Sequence, residues 1–476
     1  MPINRIPRQL LARSILVFCL TPAATAAAVD WNDPFAVGTL ASPSALGSLQ
    51  GAPCAAGDLQ APLDITAVVD RALCSNPKSL EAWANARFQA AQTGTARAAF
   101  LPQIDANGGI ARTWSRSGGQ SDNFNSLSAS VGLSYLLYDF GGRDAALENA
   151  RQLFAAASAS QDNVVQGLFM AAIQGYFQVH AAQAALDSAR EAERAGQASL
   201  DAATARHKVG VATPADRLQA QTAHSQAVLN RIRAEGGLQT ARGALANLMG
   251  LDPNTAYALL PPGSATPFDK FEADIGQLIA EARRRRPDLV AAEAQFKAAQ
   301  ASIGIAEAAG KPKFAATTEF GLQDRQFADS SRSGAIGVNV TIPLFSGFFD
   351  TYNIRSARAQ ADLRKASRDS INLQIGLDVW NAYQALQTET QVLRTSRDLV
   401  ASATQNADVA LGRYRAGVGN IIDTITAQSA LANARAQQIQ ASFNWDVARA
   451  SLAYAMGRLD DTRLYAAATP STEENP

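Results

Sequence analysis

The chain contains one long internal duplication. Residues 138–142 (Tyr-Asp-Phe-Gly-Gly) correspond to residues 345–349 (Phe-Ser-Gly-Phe-Phe), and residues 248–250 (Leu-Met-Gly) correspond to residues 455–457 (Ala-Met-Gly). Both pairs of segments are about 207 residues apart. Solenoid repeats have periods of roughly 20–50 residues, so this spacing indicates a duplicated domain instead. We therefore expect two halves that fold alike and pack as a pseudo-symmetric pair.

A second set of matched residues shows where the halves differ. Asn76-Pro77 matches Arg286-Pro287, and Leu101-Pro102 matches Lys311-Pro312, at a spacing about three residues longer. The extra residues of the first half must lie between positions 102 and 138. The sequence therefore predicts a loop of variable length in this segment.

Charge and composition exclude one class of partner. The chain has 42 basic and 42 acidic residues, so it lacks the basic excess that neutralises phosphates, and we expect no nucleic-acid partner. Hydrophobic residues make up 47%, and many of them are alanines. This balance is typical of long helices with a thin core.

The N-terminus predicts export. Three arginines precede the apolar run Ile15–Leu20, and the small residues Ala24–Ala28 follow it. This pattern predicts a signal peptide over residues 1–28. The apolar run is much shorter than the roughly 20 residues of a membrane-spanning helix. Cys19 lies inside the run after bulky residues, so we expect it to leave with the signal peptide and predict no acyl anchor.

Two cysteines remain in the mature chain, Cys54 and Cys74. An exported pair in an oxidising compartment favours a disulfide between them. The alternative is a buried Cys74 thiol in a short helix, with Cys54 on the N-terminal arm.

Two segments, 102–140 and 312–346, alternate in hydrophobicity and predict one β-hairpin each. Their apolar positions are even in 104–114, 314–322 and 336–344, and odd in 127–137. Polar turns are expected at residues 118–122 and 329–332. A soluble sandwich shares this alternation, but nothing else in the chain could cover the apolar faces. Because no other stretch approaches a spanning helix, a membrane form must span as a barrel.

Long helices surround the hairpins. Residues 143–208 and 352–416 contain no proline and predict helices of roughly 95–100 Å. The returning helices, 214–249 and 421–456, are shorter by about 30 residues, so half of each long helix lacks a partner. We expect residues 78–100 and 288–310 to stack end to end with the returning helices, leaving a belt of irregular chain at mid-height.

The sequence thus divides into six segments. They are a signal peptide (1–28), an N-terminal arm (29–62), a first repeat (63–250), an equatorial linker (251–275), a second repeat (276–457) and a C-terminal tail (458–476).

The ordered set of duplicated halves, hairpins and helix ends resembles the outer-membrane efflux protein family, the TolC-like channels, over essentially the whole mature chain. The resemblance implies an α+β membrane protein that forms a homotrimer. Its 12-stranded β-barrel would take four strands from each protomer and be surrounded by outer-membrane lipid. A long α-helical coiled-coil tunnel would continue the barrel through the periplasm. The implied partners are a periplasmic adaptor protein and an inner-membrane transporter, either ABC or proton-driven.

The tips that join long and returning helices are candidate functional sites, because the resemblance makes them the periplasmic entrance. Gly210 and Gly417 are expected to end the long helices. Thr213 with Pro214, and Asn420, are expected to start the returning helices. The residues implied as adaptor contacts are Gly210, Val211, Thr213, Pro214, Gly417 and Val418.

The resemblance also implies gate residues. Asp423, repeated by threefold symmetry, would form a ring of carboxylates at the narrowest point, and Thr426 replaces a second acid found in some relatives. Tyr414 is implied to hydrogen-bond near Asp216. The arginine implied nearby is replaced by Gly419 or shifted to Arg415. The alternative for both aspartates is helix capping alone, since each falls at the third helical position.

Other classes of protein are less well supported by the sequence. The three histidines are far apart, and no phosphate loop or nucleophile motif is present, so we expect no enzyme, metal or cofactor. A periplasmic coiled-coil adaptor or scaffold shares the long helices but not two amphipathic hairpins. The run Arg283–Arg286 is expected on a solvated helix end, with a phosphate or lipid site as the alternative. Type I protein secretion is favoured over small-molecule efflux because no acyl anchor is predicted.

Overall fold

The computed structural model describes residues 32–39, 59, 61–117, 120–262, 274–325 and 328–458. The predicted signal peptide, Cys54 in the N-terminal arm and the tail after Arg458 lie outside these ranges. The chain runs from a short 3₁₀ turn, Val37–Thr39, into twelve helices and strands within the described ranges. In chain order they are α1 Ile65–Ser75, α2 Pro77–Ala98, β1 Gln103–Ser117, β2 Gln120–Tyr138, α3 Gly142–Lys208, α4 Pro214–Leu248, α5 Ile275–Arg285, α6 Pro287–Ala309, β3 Lys313–Arg325, β4 Ala328–Thr341, α7 Phe349–Arg415 and α8 Ile421–Ala455.

The two halves have the same helical plan. The long helices α3 and α7 have 67 residues each, or about 100 Å, and the returning helices α4 and α8 have 35. Helix α7 begins three residues before the expected start at residue 352. Within the described ranges, no helix combines the length and the apolarity that crossing a bilayer requires.

The broken partner of α3 is assembled as expected. Helices α2 and α4 both pack along α3, and the Asn76 side chain donates to the Leu248 carbonyl oxygen at 2.9 Å. Gly250 ends the returning segment with φ +72°. A Cβ atom on this glycine would lie 2.5 Å from the Ser75 carbonyl oxygen. The end of α4 therefore meets the start of α2 in close backbone contact.

The same joint in the second half uses different chemistry. Arg286 replaces Asn76 and begins α6 without a side-chain cap. Its guanidinium, with a side chain only 11% exposed, pairs with Asp288 at 2.6 Å and Asp378 at 2.7 Å. The expectation of a solvated arginine run is therefore wrong for Arg286, because two carboxylates bind it in the joint, whereas Arg283–Arg285 are exposed.

The four strands form one antiparallel sheet in the order β1-β2-β3-β4. Pairing places the predicted apolar positions on one face. One row of directly opposed residues is Ile104, Leu133, Thr318 and Ile336. The adjacent row, on the other face, is Gln103, Ser134, Thr317 and Gly337. Ile110 is 84% exposed and Ile336 is 82% exposed, so the protomer itself leaves the apolar face uncovered.

The first predicted turn was too long, and the second was placed a few residues too far along the chain. Ser117 pairs with Gln120 and Arg325 pairs with Ala328, so residues 120–122 and 329–332 belong to strands. The extra residues of the first half lie in its strands and not in its turn, because both connections contain two residues. The polar residues of the predicted turns continue the strands, because the main-chain hydrogen bonds of a strand pair do not depend on the side chains. Strand β4 ends at Thr341, before the predicted residue 344, because Pro343 has no N–H for the ladder.

An irregularity at the base of the sheet changes which side chain faces the apolar side. The register shifts between Leu136 and Tyr138, so Tyr138 pairs with Phe314, which in turn pairs with Val340. Strict alternation placed Leu137 on this face. An extra residue in a strand re-aims the following side chains, and here it brings a tyrosine onto the apolar face.

The largest buried cluster lies where α1, α3, α4 and α8 meet. Tyr176 is buried in this cluster, and its hydroxyl donates to the Leu260 carbonyl oxygen. Burial raises the pKa of Tyr176 to about 12. A Cβ atom on Gly175 would lie 3.0 Å from Leu245, so this glycine permits the close approach of α4. The adjacent Gly175 and Tyr176 thus both have packing roles at this level of the helical bundle.

Candidate gate at the helix tips

The first tip ends α3 and starts α4 with strong local signals. Gly210 adopts φ +76°, and its N–H donates to the His207 carbonyl oxygen at 3.0 Å. The Val211 N–H donates to the Arg206 carbonyl oxygen, also at 3.0 Å. This pair of bonds is the Schellman pattern that a left-handed glycine allows. The Val211 side chain is exposed at the end of the tip.

Asp216 has a capping role at this tip. The Thr213 hydroxyl oxygen accepts from the Asp216 N–H at 3.2 Å, and the Asp216 carboxylate accepts from the Thr213 N–H at 2.8 Å. Pro214 occupies the first helical turn. The reciprocal bonds form a capping box, so capping accounts for one carboxylate oxygen of Asp216.

The second tip repeats the plan without the reciprocal bond. Gly417 has φ +82° and ends α7. The Asn420 side chain accepts from the Asp423 N–H at 2.7 Å, so Asn420 is the cap. Asp423 is exposed on α8, and Thr426 lies one turn further along it. The Asp423 carboxylate is thus exposed on the surface of the protomer, near the positive end of the α8 helix dipole.

Tyr414 is almost fully buried at the end of α7, with 3% exposure. Its hydroxyl has no hydrogen-bond partner among the described residues, so the bond expected near Asp216 is not formed within one protomer. Burial raises the pKa of Tyr414; the positive charge of Arg206 opposes this shift, and the negative charge of Asp216 adds to it. Asp216 is therefore an electrostatic neighbour of Tyr414, and its hydrogen bond goes to Thr213 instead.

Arg206 supplies the arginine at this site. Its Nη1 donates to the Tyr414 carbonyl oxygen at 2.9 Å, and its guanidinium lies 5.0 Å from the Tyr414 ring centre. This arginine was expected near Gly419 or at Arg415, and the structure places it on α3 instead. One signal was available, since Arg206 and Arg413 are themselves matched across the duplication.

Two further polar contacts join α3 to α8 above the tips. Ser199 and Gln428 hydrogen-bond through their side chains at 3.0 Å. Higher on α3, Glu191 pairs with Arg435 at 2.5 Å. With Arg206 these residues form a ladder along one side of α3, which we call the α3 ladder. It ties the first coiled coil to the second within one protomer.

These features define a class of protein: an outer-membrane channel with a helical periplasmic extension. The model of a family described as "Outer membrane efflux protein" matches residues 68–251 and 278–458. The chain belongs to this family, whose members and structural neighbours are channels of tripartite export systems. It is therefore an outer-membrane protein with a TolC-like fold and a helical tunnel in the periplasm.

Individual proteins agree with this assignment. The chain is 30% identical to Protein CyaE of Bordetella pertussis over 79% of this chain and 80% of that protein. It is 22% identical to outer membrane protein TolC of Escherichia coli, over 84% and 83%. The solved structure of the Campylobacter jejuni CmeC outer membrane channel superimposes with a TM-score of 0.75 at 18% identity, covering 83% of this chain and 85% of that one.

Proposed function

We propose that three copies of this chain close one 12-stranded barrel and one tunnel. The observation that carries this proposal is the four-stranded sheet, in which β1 and β4 each have one unpaired edge. Open edges cannot face lipid, because unpaired N–H and C=O groups are costly there. Pairing β4 of one copy with β1 of the next closes the sheet and satisfies both edges.

The helical layer also has two free sides. Helix α3 packs against α2, α4, α6 and α8, whereas α7 packs against α5, α6 and α8. Exposed apolar residues follow the free sides of α4 and α7. They are Leu218, Leu229 and Ile232 on α4, and Leu363, Leu373 and Val409 on α7. Joining α7 of one copy to the end-to-end α2 and α4 of the next covers both stripes in a closed ring.

Trimer formation can be tested at the α7 stripe. Leu373 is 71% exposed in the protomer, so Leu373→Glu would place a charge in the proposed contact. We expect this variant to lose the heat-sensitive trimer band in outer-membrane fractions. Gln300→Glu, at an exposed polar position of α6, which packs between α3 and α7 of its own protomer, is the control and should keep it. A stable Leu373→Glu trimer would contradict the proposed contact.

The proposed cargo route is type I protein secretion, with an ABC transporter and a periplasmic adaptor. Its support is the expectation that Cys19 leaves with the signal peptide. The second candidate is a small-molecule efflux pump with a proton-driven transporter, and the term efflux in the description of the family supports this route.

Deletion of the gene in its host separates the two routes. Loss of one or more proteins from the culture supernatant, with unchanged sensitivity to dyes and detergents, supports secretion. Raised dye accumulation with an unchanged set of secreted proteins supports efflux and contradicts the secretion proposal.

The tips are proposed as gate and adaptor contact. Asp423, with Thr426 one turn further, would line the constriction, while Tyr414, Asp216 and the α3 ladder would hold the tips together. Val211 and Val418 are 61% and 68% exposed, which suits an apolar adaptor contact together with the turn residues beside them. Val211→Glu with Val418→Glu should abolish adaptor co-purification and leave the trimer intact. Retained co-purification would move the adaptor contact elsewhere.

The Cys54–Cys74 disulfide stays a proposal. Cys74 on α1 is disulfide-bonded, and Cys54 lies outside the described residues. The bridge would close a loop of about 20 residues, worth roughly 3 kcal/mol. Mass spectrometry of the unreduced protein should find a peptide linking the two cysteines. Alkylation of both thiols without reductant would contradict it.

A further inference from the structure

A groove of about 590 Å³ lies where α6 packs between α3 and α7, beside α5. Leu289 and Val290 of α6 line it, and Val290 is 49% exposed despite being apolar. Arg283 of α5, Lys297 of α6 and Arg368 of α7 also line it. The groove therefore combines an apolar patch with cations from three helices.

The carboxylates of the groove do not balance its cations. Arg368 is paired with Asp369 at 2.6 Å and with Glu293 at 3.1 Å. Lys297 reaches Glu293 only at 4.0 Å. Arg283 has no ion pair within the part of the chain that the structure describes. Three cations thus face two carboxylates, which leaves the groove complementary to an acidic segment.

The end of α8 brings an acidic segment to this place. Arg458 pairs with Glu281 of α5 at 2.8 Å, two residues before Arg283. A Cβ atom on Gly457 would lie 3.3 Å from the Arg285 backbone, so the chain leaves α8 in contact with α5. The following 18 residues span up to roughly 60 Å when extended, which is ample to enter the groove.

We propose that the C-terminal tail, residues 459–476, docks in this groove of its own protomer. The tail carries four acidic residues and one arginine, and its apolar residues Leu464 and Tyr465 follow Asp460 and Asp461. The aspartates face Arg283, and Leu464 with Tyr465 covers Val290. The tail thereby fastens α5 to α6 and α7.

Thiol accessibility in the full-length protein tests the contact. The Val290→Cys variant should react slowly with a maleimide in outer-membrane vesicles, and several-fold faster when the chain is ended after Arg458. Asn254→Cys, at an exposed belt position of the first repeat, is the control, and its rate should not depend on the tail. Equal rates for the Val290→Cys variant with and without the tail overturn the proposal. Slow reaction in both forms assigns the groove to another copy or to an adaptor, and fast reaction in both shows that nothing covers it.

A cross-link identifies the segment that covers the groove. A short bis-maleimide should join Val290→Cys to Leu464→Cys within one protomer. Arg283→Glu should lower the yield several-fold, and adding Asp461→Arg should restore it, because the charges are then exchanged. A cross-link yield that is the same with and without the charge changes overturns the proposal. A cross-link that forms only between protomers also overturns it.

Discussion

Arg206 should hold the periplasmic tips closed through two contacts with one residue. Its Nη1 donates to the Tyr414 carbonyl oxygen at 2.9 Å, and its guanidinium lies 5.0 Å from the Tyr414 ring centre. A hydrogen bond to a charged group contributes about 1.5–3 kcal/mol, and a partly desolvated cation–π contact about 0.5–2 kcal/mol. Arg206→Ala should therefore weaken each closed tip by about 2–5 kcal/mol.

The chemistry of the two partners sharpens this prediction. Arg206→Lys retains the charge but loses the planar stacking, so its effect should be intermediate. Tyr414→Phe should be nearly neutral, because the hydroxyl has no partner among the described residues and its removal leaves no broken bond. Lys208→Ala removes an exposed cation at the end of the same helix and serves as the control.

Single-channel recordings of purified trimers in planar bilayers would measure the effect. About 3 kcal/mol corresponds to a roughly hundredfold change in a closed–open equilibrium, so Arg206→Ala should show frequent high-conductance openings. Unchanged conductance in Arg206→Ala would refute the reasoning. A Tyr414→Phe channel that opens as readily would show that the hydroxyl is bonded to a neighbouring copy in the trimer.

Three further predictions concern the barrel, the belt and the entrance. Val131→Arg should destabilise the barrel by roughly 2–4 kcal/mol as measured by trimer melting, whereas Ser130→Arg should mainly alter conductance; equal tolerance would invert the assigned faces. Gly250→Ala should impair trimer assembly, while Gly457→Ala, with similar positive φ but no contact below 3.3 Å, should cost about 1–2 kcal/mol; equal melting of both would refute the close contact. Asp423→Asn should change conductance and cation selectivity without changing trimer stability, and unchanged currents would leave Asp423 as a helix-start residue.

Element types and faces were readable from the sequence because they depend on local periodicity. The even positions of β1 and the odd positions of β2 meet on one face, since pairing Ile104 with Leu133 follows from that alternation. The turn limits were not readable, because strand pairing beyond Ser117 depends on the partner strand and not on local composition. The irregularity before Tyr138, which brings this side chain onto the apolar face, was not readable for the same reason.

The tip was predicted only in its local part. Gly210 and Asn420 act on neighbouring main-chain groups, so their roles followed from spacing along the chain. Arg206 acts on Tyr414 across 208 positions of sequence. Such a contact depends on how the two coiled coils are packed, which one sequence does not encode in any local pattern.

The two belt joints show how a duplicated fold can tolerate divergence. Asn76 caps α2 through a bond to the Lys78 N–H and also donates to the Leu248 carbonyl oxygen. Arg286 cannot accept such a cap bond, and its guanidinium needs carboxylates because burying an unpaired charge is unfavourable. Asp288 and Asp378 supply them. Replacing Arg286 by asparagine would therefore leave two carboxylates facing each other without a cation, so the joint can change only when its partners on α6 and α7 change with it.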